Sequence, residues 1–250
     1  MDFESFVLAA ATDDLADAAT TVAREYADAV EYRMDAVDAA AEPGAVSPSV
    51  TALAEYDGDL PVIATNRAAW EGGAAGPAVP PSDQDAVQAE AARNRVESLA
   101  AAASVDTVEA VDVELASLAA DAPGVETVLA EAAANDVAVV ASSHDFERTP
   151  SRDAMRDALE SGLAHGDVAK LAVTAETRKD ALDLLAVTRE FAARDEPVAT
   201  MAMGAVGRHT RAVAPVYGSK IGYAPVDAAD ATAPGQYDLA TLADLVESLS

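Results

Sequence analysis

The stretch "GDVAKLAV", residues 166–173, reads as a short buried strand. Val168, Ala169, Leu171, Ala172 and Val173 are apolar, and Lys170 sits among them. Near-continuous apolar character, without strict alternation, fits a parallel strand covered on both faces. Seven other runs share it: "FVLAA" (6–10), "AVEYRMD" (29–35), "LPVIAT" (60–65), "TVEAVDVEL" (107–115), "DVAVVASS" (136–143), "PVATMAM" (197–203) and "APVYGSKIGYA" (214–224).

Helical patterns lie between these runs. Leu15, Ala18, Val22 and Tyr26 recur at helical spacing, as do Leu239, Leu242, Leu245, Val246 and Leu249. "TP" at 149–150 reads as an N-cap followed by proline at the first helical position. Eight strands, each followed by a helix, in 250 residues suit an α/β fold of the (β/α)8 TIM-barrel type, one catalytic domain over 1–250. An open doubly wound sheet is the alternative. It usually carries a Gly-rich phosphate loop after its first strand, and "VLAAATDDLAD" holds no glycine. The Gly/Pro-rich loops 72–85 and 226–236 both follow strands, which places them on the catalytic face of a barrel.

Composition narrows the function. No cysteine is present, which excludes disulfides and thiolate metal sites, and no metal site is expected. The N-terminal apolar run has no basic region before it, so a secretory signal is not expected, and no apolar stretch is long enough to span a membrane. A soluble cytoplasmic protein is the expectation. There are 44 acidic against 16 basic residues, a net charge of −28, spread along the chain. Such a field repels nucleic acid and anionic membranes. With arginine favoured over lysine and alanine abundant, this is similar to the protein style of halophilic archaea. The chain holds three lysines, Lys170, Lys179 and Lys220, so one inside a strand calls for a reason.

In a strand, alternate residues share a face, so Lys170 points with Val168, Ala172 and Thr174 toward a barrel interior. One reading is a strand-end lysine snorkelling to water. The other is a desolvated amine that attacks a carbonyl to form a Schiff base, which arginine cannot do. "SSHDFERTP" (142–150) puts His144 at a strand end, where an imidazole can move protons near neutral pH. His165 lies in the loop entering the Lys170 strand and reads as structural; His209 is a weaker competitor to His144. In "TNRAAWEGG" (65–73), Arg67 suits an anion and Glu71 suits orienting a histidine, unless the two form a solvated pair. "EYRMD" (31–35) puts Glu31, Arg33 and Asp35 on one strand face, and "VDVEL" (111–115) repeats the theme with Asp112 and Glu114. Buried charge of that kind either lines a site or forms an interior ion network. Arg211, in "MGAVGRHTR" (203–211), suits a carboxylate or phosphate.

The ordered set "EYR", "TNR" with "EGG", "DVEL", "SHDF" with "TP", "AKLAV", "MG" with "G" and "R", "YGS" and "APGQ" resembles type I 3-dehydroquinate dehydratase over about residues 29–236. The resemblance implies a cofactor-free (β/α)8 enzyme of the shikimate pathway, commonly a homodimer, acting on 3-dehydroquinate. It implies Lys170 as the Schiff-base lysine, His144 as general acid/base and Glu71 as its carboxylate partner. Glu31, Arg33 and Arg67 match residues that grip substrate hydroxyls and carboxylate, and Arg211 the main carboxylate arginine. Gln236 matches the glutamine of a closing lid, Thr232 a lid hydroxyl that is usually serine, and Met203 and Tyr223 the apolar walls. Thr210 and Asn66 also depart from the family pattern, and Ala9–Ala11 stand where many relatives have a serine. A Schiff-base aldolase on the same fold is the rival enzyme; a non-catalytic carboxylate-binding barrel would not need both Lys170 and His144.

Overall fold

The computed structural model describes residues 1–39, 47–230, 233 and 235–249. Its core is one eight-stranded parallel sheet in the order β7-β6-β5-β4-β3-β2-β1-β8. The strands are β1 (Val7–Thr12), β2 (Ala29–Arg33), β3 (Val62–Thr65), β4 (Val108–Glu114), β5 (Ala138–Asp145), β6 (Val168–Thr174), β7 (Val198–Met203) and β8 (Ile221–Pro225). The sheet closes on itself. A parallel bridge joins Val198 to Ser219, and Lys220 N donates to Val198 O at 2.8 Å. Among the described residues, eleven α-helical segments accompany the strands. They are α1 (Thr21–Tyr26), α2 (Met34–Ala39), α3 (Pro48–Glu55), α4 (Ala86–Ala103), α5 (Leu115–Ala119), α6 (Val125–Ala134), α7 (Arg152–Leu163), α8 (Arg178–Ala192), α9 (Gly204–Gly207), α10 (Thr210–Val213) and α11 (Leu239–Leu249). The (β/α)8 expectation is met.

Two apolar layers explain the uninterrupted strand sequences. Residues such as Val30, Val111 and Val139 face outward onto helix residues such as Leu99 and Val128. Their neighbours Ala29, Ile63, Ala110, Val140, Val168 and Ile221 fill the barrel interior. Lys170 belongs to the inward set, between Val168 and Ala172, and lies in register with Ser142 and Ala199. Register also places Glu31 beside Ile63, and Asp112 beside Val140. The charged inward positions thus gather near the C-terminal ends of the strands, where a barrel opens to its binding loops.

Local structure departs from the sequence reading at three places. Asp35 is not in a strand: β2 ends at Arg33 and α2 begins with Met34. The Asp35 carboxylate accepts from the backbone N–H groups of Arg67 and Ala74, and these bonds draw it out of strand register. The cap of α7 is Ser151, whose hydroxyl accepts from Ala154 N, and not Thr149. Thr149 donates instead to Thr174 O at 2.8 Å. Residues 214–217 form a single 3-10 turn before β8, because Pro215 lacks a ladder N–H and Gly218, at φ 101°, ends the turn.

No helix among the described residues is long and apolar enough to cross a membrane. Five of the 16 basic residues, Arg33, Arg67, Arg95, Lys170 and Arg211, are buried or nearly so around the barrel mouth. Five buried carboxyls, Glu31, Asp35, Glu71, Asp112 and Glu114, accompany them, so the acidic excess lies on the outer surface. The Debye length shortens from roughly 10 Å at 0.1 M salt to about 3 Å at 1 M, so molar salt screens neighbouring surface carboxylates. We expect the melting temperature to rise steadily as KCl is raised from 0.1 M toward the molar range. A thermal melt at each concentration checks this; a flat or falling series would contradict it.

Candidate active site

The ends of six strands converge on one pocket. It is lined by Glu31 and Arg33 from β2, Thr65, Arg67 and Glu71 from β3 and the turn after it, His144 from β5 and Lys170 from β6. Met201, Met203, Arg211, Tyr223 and Gln236 complete it. Ten of the eleven residues singled out by the resemblance meet there; Thr232 lies outside the described residues. His165 and His209 do not join them. Both are exposed, and each ring Nδ1 lies against a nearby backbone carbonyl, Ser161 O and Val206 O.

Lys170 is 5 % exposed. Its Nζ donates to Asp112 Oδ2 at 2.9 Å, with Glu31 Oε1 at 3.8 Å and the ring centroid of Tyr223 at 4.0 Å. Asp112 also accepts from Arg67 Nη2 and from Ser142 Oγ, both at 2.6 Å. Burial works against a charge on Asp112, but Arg67 and Lys170 overcome it and hold the carboxyl far below its usual range. Asp112 is thus a permanent anion under the lysine. It cannot accept the lysine's proton in the working pH range.

Behind this pair, Arg67 Nη1 lies 3.3 Å from Glu114 Oε1, and Glu114 Oε2 accepts from Arg95 Nη2 at 2.8 Å. Arg95 also donates to the carbonyl of Asn66, and Asn66 Nδ2 donates to Arg95 O at 3.2 Å. The interior network that "DVEL" suggested is real, and through Asp112 it also reaches the lysine. Removing one partner of such a buried set costs about 3–5 kcal/mol. Arg95 was not singled out from the sequence. The signal was available, since Arg95 shares a helical face of α4 with Ala92, Val96 and Leu99, all buried.

His144 Nδ1 lies 2.8 Å from Glu71 Oε2. Burial and the charges of Arg67 and Lys170 push the imidazole well below its ordinary pKa, so it is neutral. Burial pushes Glu71 up to about 8, with Arg67 opposing and Glu114 and Asp112 reinforcing. Phe146 stacks beside His144, its ring 6.1 Å away and tilted 15°. That ring covers Gly72, where φ is +78° and a Cβ would collide with it. The turn carrying Glu71 is thereby seated against the strand end carrying His144.

The arginines fall into two groups. Arg33 is paired through Nε and Nη2 with Asp35 at 2.9 and 2.8 Å, and Arg67 is saturated by Asp112 and Glu114. Arg211 is 5 % exposed and has no carboxylate within ion-pair distance among the described residues. Among the described residues its Nη1 reaches Met201 Sδ at 3.7 Å, and burial pulls its pKa down to about 10. A buried guanidinium without an anion is a site for one. Over the mouth, Gly235 at φ +82° packs against Gly204 O, and the Arg208 guanidinium lies 3.9 Å over the Tyr237 ring. Gln236 is held toward the pocket by this segment, its Oε1 accepting from Ala233 N at 2.9 Å.

The model of the family described as type I 3-dehydroquinase matches residues 6–250. The chain belongs to the type I 3-dehydroquinase family. It is 51 % identical to the 3-dehydroquinate dehydratase of Haloarcula marismortui over 250 residues, covering 100 % of this chain and 98 % of the relative. With that of Halobacterium salinarum, identity is 49 % over 251 residues and coverage is 100 % of both. Among solved structures, the 3-dehydroquinate dehydratase of Geobacillus kaustophilus superposes with a TM-score of 0.76 at 26 % identity, covering 98 % of this chain and 91 % of that one. The two haloarchaeal relatives also suggest the salty habitat that the charge implies.

Two predictions follow from the geometry. Below about pH 8 the carboxyl proton of Glu71 points at Nδ1, and Nε2 carries the imidazole hydrogen. Above it, the carboxylate accepts from Nδ1–H and the Nε2 lone pair is free. We therefore expect kcat/KM to rise with pH through an apparent pKa near 8 belonging to the pair, and Glu71→Gln to lose that limb. A pH–rate profile of both proteins checks this. Arg211→Ala should raise KM more than Arg211→Lys, since lysine keeps the charge and loses the planar fork. Equal and negligible effects of the two variants on KM would place the carboxylate elsewhere.

Proposed function

We propose that the chain dehydrates 3-dehydroquinate to 3-dehydroshikimate through an imine on Lys170, with His144 moving the protons and Arg211 holding the carboxylate. Family membership makes it a hydro-lyase of the shikimate pathway; the covalent route and the roles of individual residues are our reading. The observation that carries this reading is a buried lysine sharing one pocket with a hydrogen-bonded His–Glu pair and an arginine that has no carboxylate partner among the described residues.

The chemistry runs in an order that the charges support. The Lys170 ammonium first passes a proton to the neutral imidazole of His144. The free amine adds to the C3 ketone, and the carbinolamine takes that proton back as it loses water to give an iminium. That cation draws electrons from C2. Nε2 of His144 removes the C2 proton to form an enamine. The C1 hydroxyl then departs as water, with the protonated imidazole as its acid. Water finally hydrolyses the product imine and restores the amine. Covalent attachment divides one difficult elimination into easier steps. Asp112, ionised throughout, faces the nitrogen that becomes positive, which is preorganised electrostatic stabilisation. Arg211 fixes the ring before reaction, and Glu31, which accepts from Thr65 Oγ1 at 3.1 Å, faces a substrate hydroxyl. Arg33 and Arg67 act on the substrate's surroundings through the carboxylates they already pair. Met203 and Tyr223 wall the ring, and Gln236 covers it. The work is done in one barrel domain without a cofactor, in the cytoplasm and in a homodimer.

The test is reduction by borohydride in the presence of 3-dehydroquinate, followed by mass analysis. Wild type should gain one covalent adduct at Lys170. Lys170→Ala should gain none and lose turnover. His144→Ala should still be labelled while kcat falls about 10²–10⁴-fold. Labelling that survives Lys170→Ala would remove the lysine from its role.

A further inference from the structure

Tyr223 sits deeper in the chemistry than a wall residue. It is an inward residue of β8, 4 % exposed, and its ring face lies 4.0 Å from Lys170 Nζ. Room for an aromatic ring at the barrel axis comes from small neighbours: Ala9, Ala29 and Ala110 share its interior cluster, and Ala9 is its register partner. Its hydroxyl is buried and has no hydrogen-bond partner among the described residues. What the residue offers Lys170 is therefore the ring face. Burial and the charges of Asp112 and Glu31 push the phenol well above its ordinary pKa, so the ring stays neutral.

A π-face and a carboxylate both favour a cation over the corresponding neutral group. The Lys170 nitrogen is a cation twice, as free ammonium and as iminium. The neutral imine, one proton poorer, draws electrons from C2 only weakly. The other groups facing this nitrogen are Asp112 from β4, Glu31 from β2, His144 from β5, and Arg67 with Glu71 after β3. From β7 only the uncharged Ala199, Met201 and Met203 belong to the inner cluster. The ring is thus the one contact whose attraction can be changed without changing any formal charge.

We propose that the face of Tyr223, together with Asp112, keeps the Lys170 imine protonated through C2 deprotonation, so that Tyr223 maintains the electron sink of the reaction. This rests on the Lys170 imine reading above. In the covalent step, amine, ketone and one proton give iminium and water; the ring stabilises that product and lowers its acidity.

The experiment replaces Tyr223 by phenylalanine as the baseline, then by mono-, tri- and pentafluorophenylalanine through codon suppression. Ring shape is kept while the negative face is emptied stepwise. With 3-dehydroquinate in molar KCl, both kcat and the fraction reduced onto Lys170 by borohydride should fall with each step. The loss at five fluorines should be about tenfold or more. The alkaline limb of kcat should move to lower pH, since a less stabilised iminium gives up its proton sooner. Thermal melts verify folding, and the mono- and trifluoro variants carry the comparison if the pentafluoro chain does not fold. Equal kcat, trapping and pH limb across the series would overturn the proposal. Absence of any Lys170 adduct in wild type would instead overturn the imine reading itself.

Discussion

Everything at the barrel mouth depends on the buried carboxylate of Asp112. It is 1 % exposed and accepts from Lys170, Arg67 and Ser142 at once. A lysine and an arginine cannot share a desolvated barrel interior unless an anion lies between them. Asp112 supplies that anion, and Arg67 in turn keeps it ionised. Glu114 extends the same logic outward, tying Arg67 and the Arg95 side chain of α4 into one frame. The frame reaches Glu71 as well, since Arg67 Nη1 stands 3.6 Å from Glu71 Oε2. Position and protonation are thus set by one set of contacts.

This arrangement separates structural charge from available charge. Arg33, Arg67 and Arg95 are each matched by a carboxylate, and among the described residues Arg211 is not. Counted formally, the five basic groups of the site face five carboxyls, Glu31, Asp35, Glu71, Asp112 and Glu114. With Glu71 protonated, one positive charge is left over, the charge a single substrate carboxylate would neutralise. In a chain with 44 acidic residues and 16 basic ones, five of the basic residues are gathered in this site.

Much of this was legible in the strands. "AKLAV", "SHDF" and "EYR" lie on elements whose period of two dictates which side chains point inward, so Lys170, His144 and Glu31 could be placed before any coordinates. Segments without that periodicity were harder. Asp35 reads as strand yet opens α2, because its carboxylate is claimed by backbone N–H groups of the loop that follows β3. Residues 214–217 read as strand yet make a turn, since Pro215 and Gly218 outweigh their apolar character. Arg95 sits on a helix in a stretch rich in charge, and only its apolar neighbours on the same face distinguish it from a solvated arginine.

The sequence by itself determined the parallel barrel, the acidic surface and the inward placement of Lys170, because periodicity, composition and net charge are properties of the linear chain. It also put Arg33, Arg67 and Arg211 on the list of anion binders, and the family resemblance marked Arg211 as the main one. The tertiary structure supplies the physical reason for that order. Whether an arginine is free depends on which carboxylates lie within about 4 Å of it. Those carboxylates come from Asp35, Asp112 and Glu114, up to 47 residues away along the chain. The same holds for the ring of Tyr223 under Lys170 and for the proton shared between Glu71 and His144. Coulomb and π interactions act through space over a few ångströms, and a linear sequence does not record which strands closure of the barrel sets face to face.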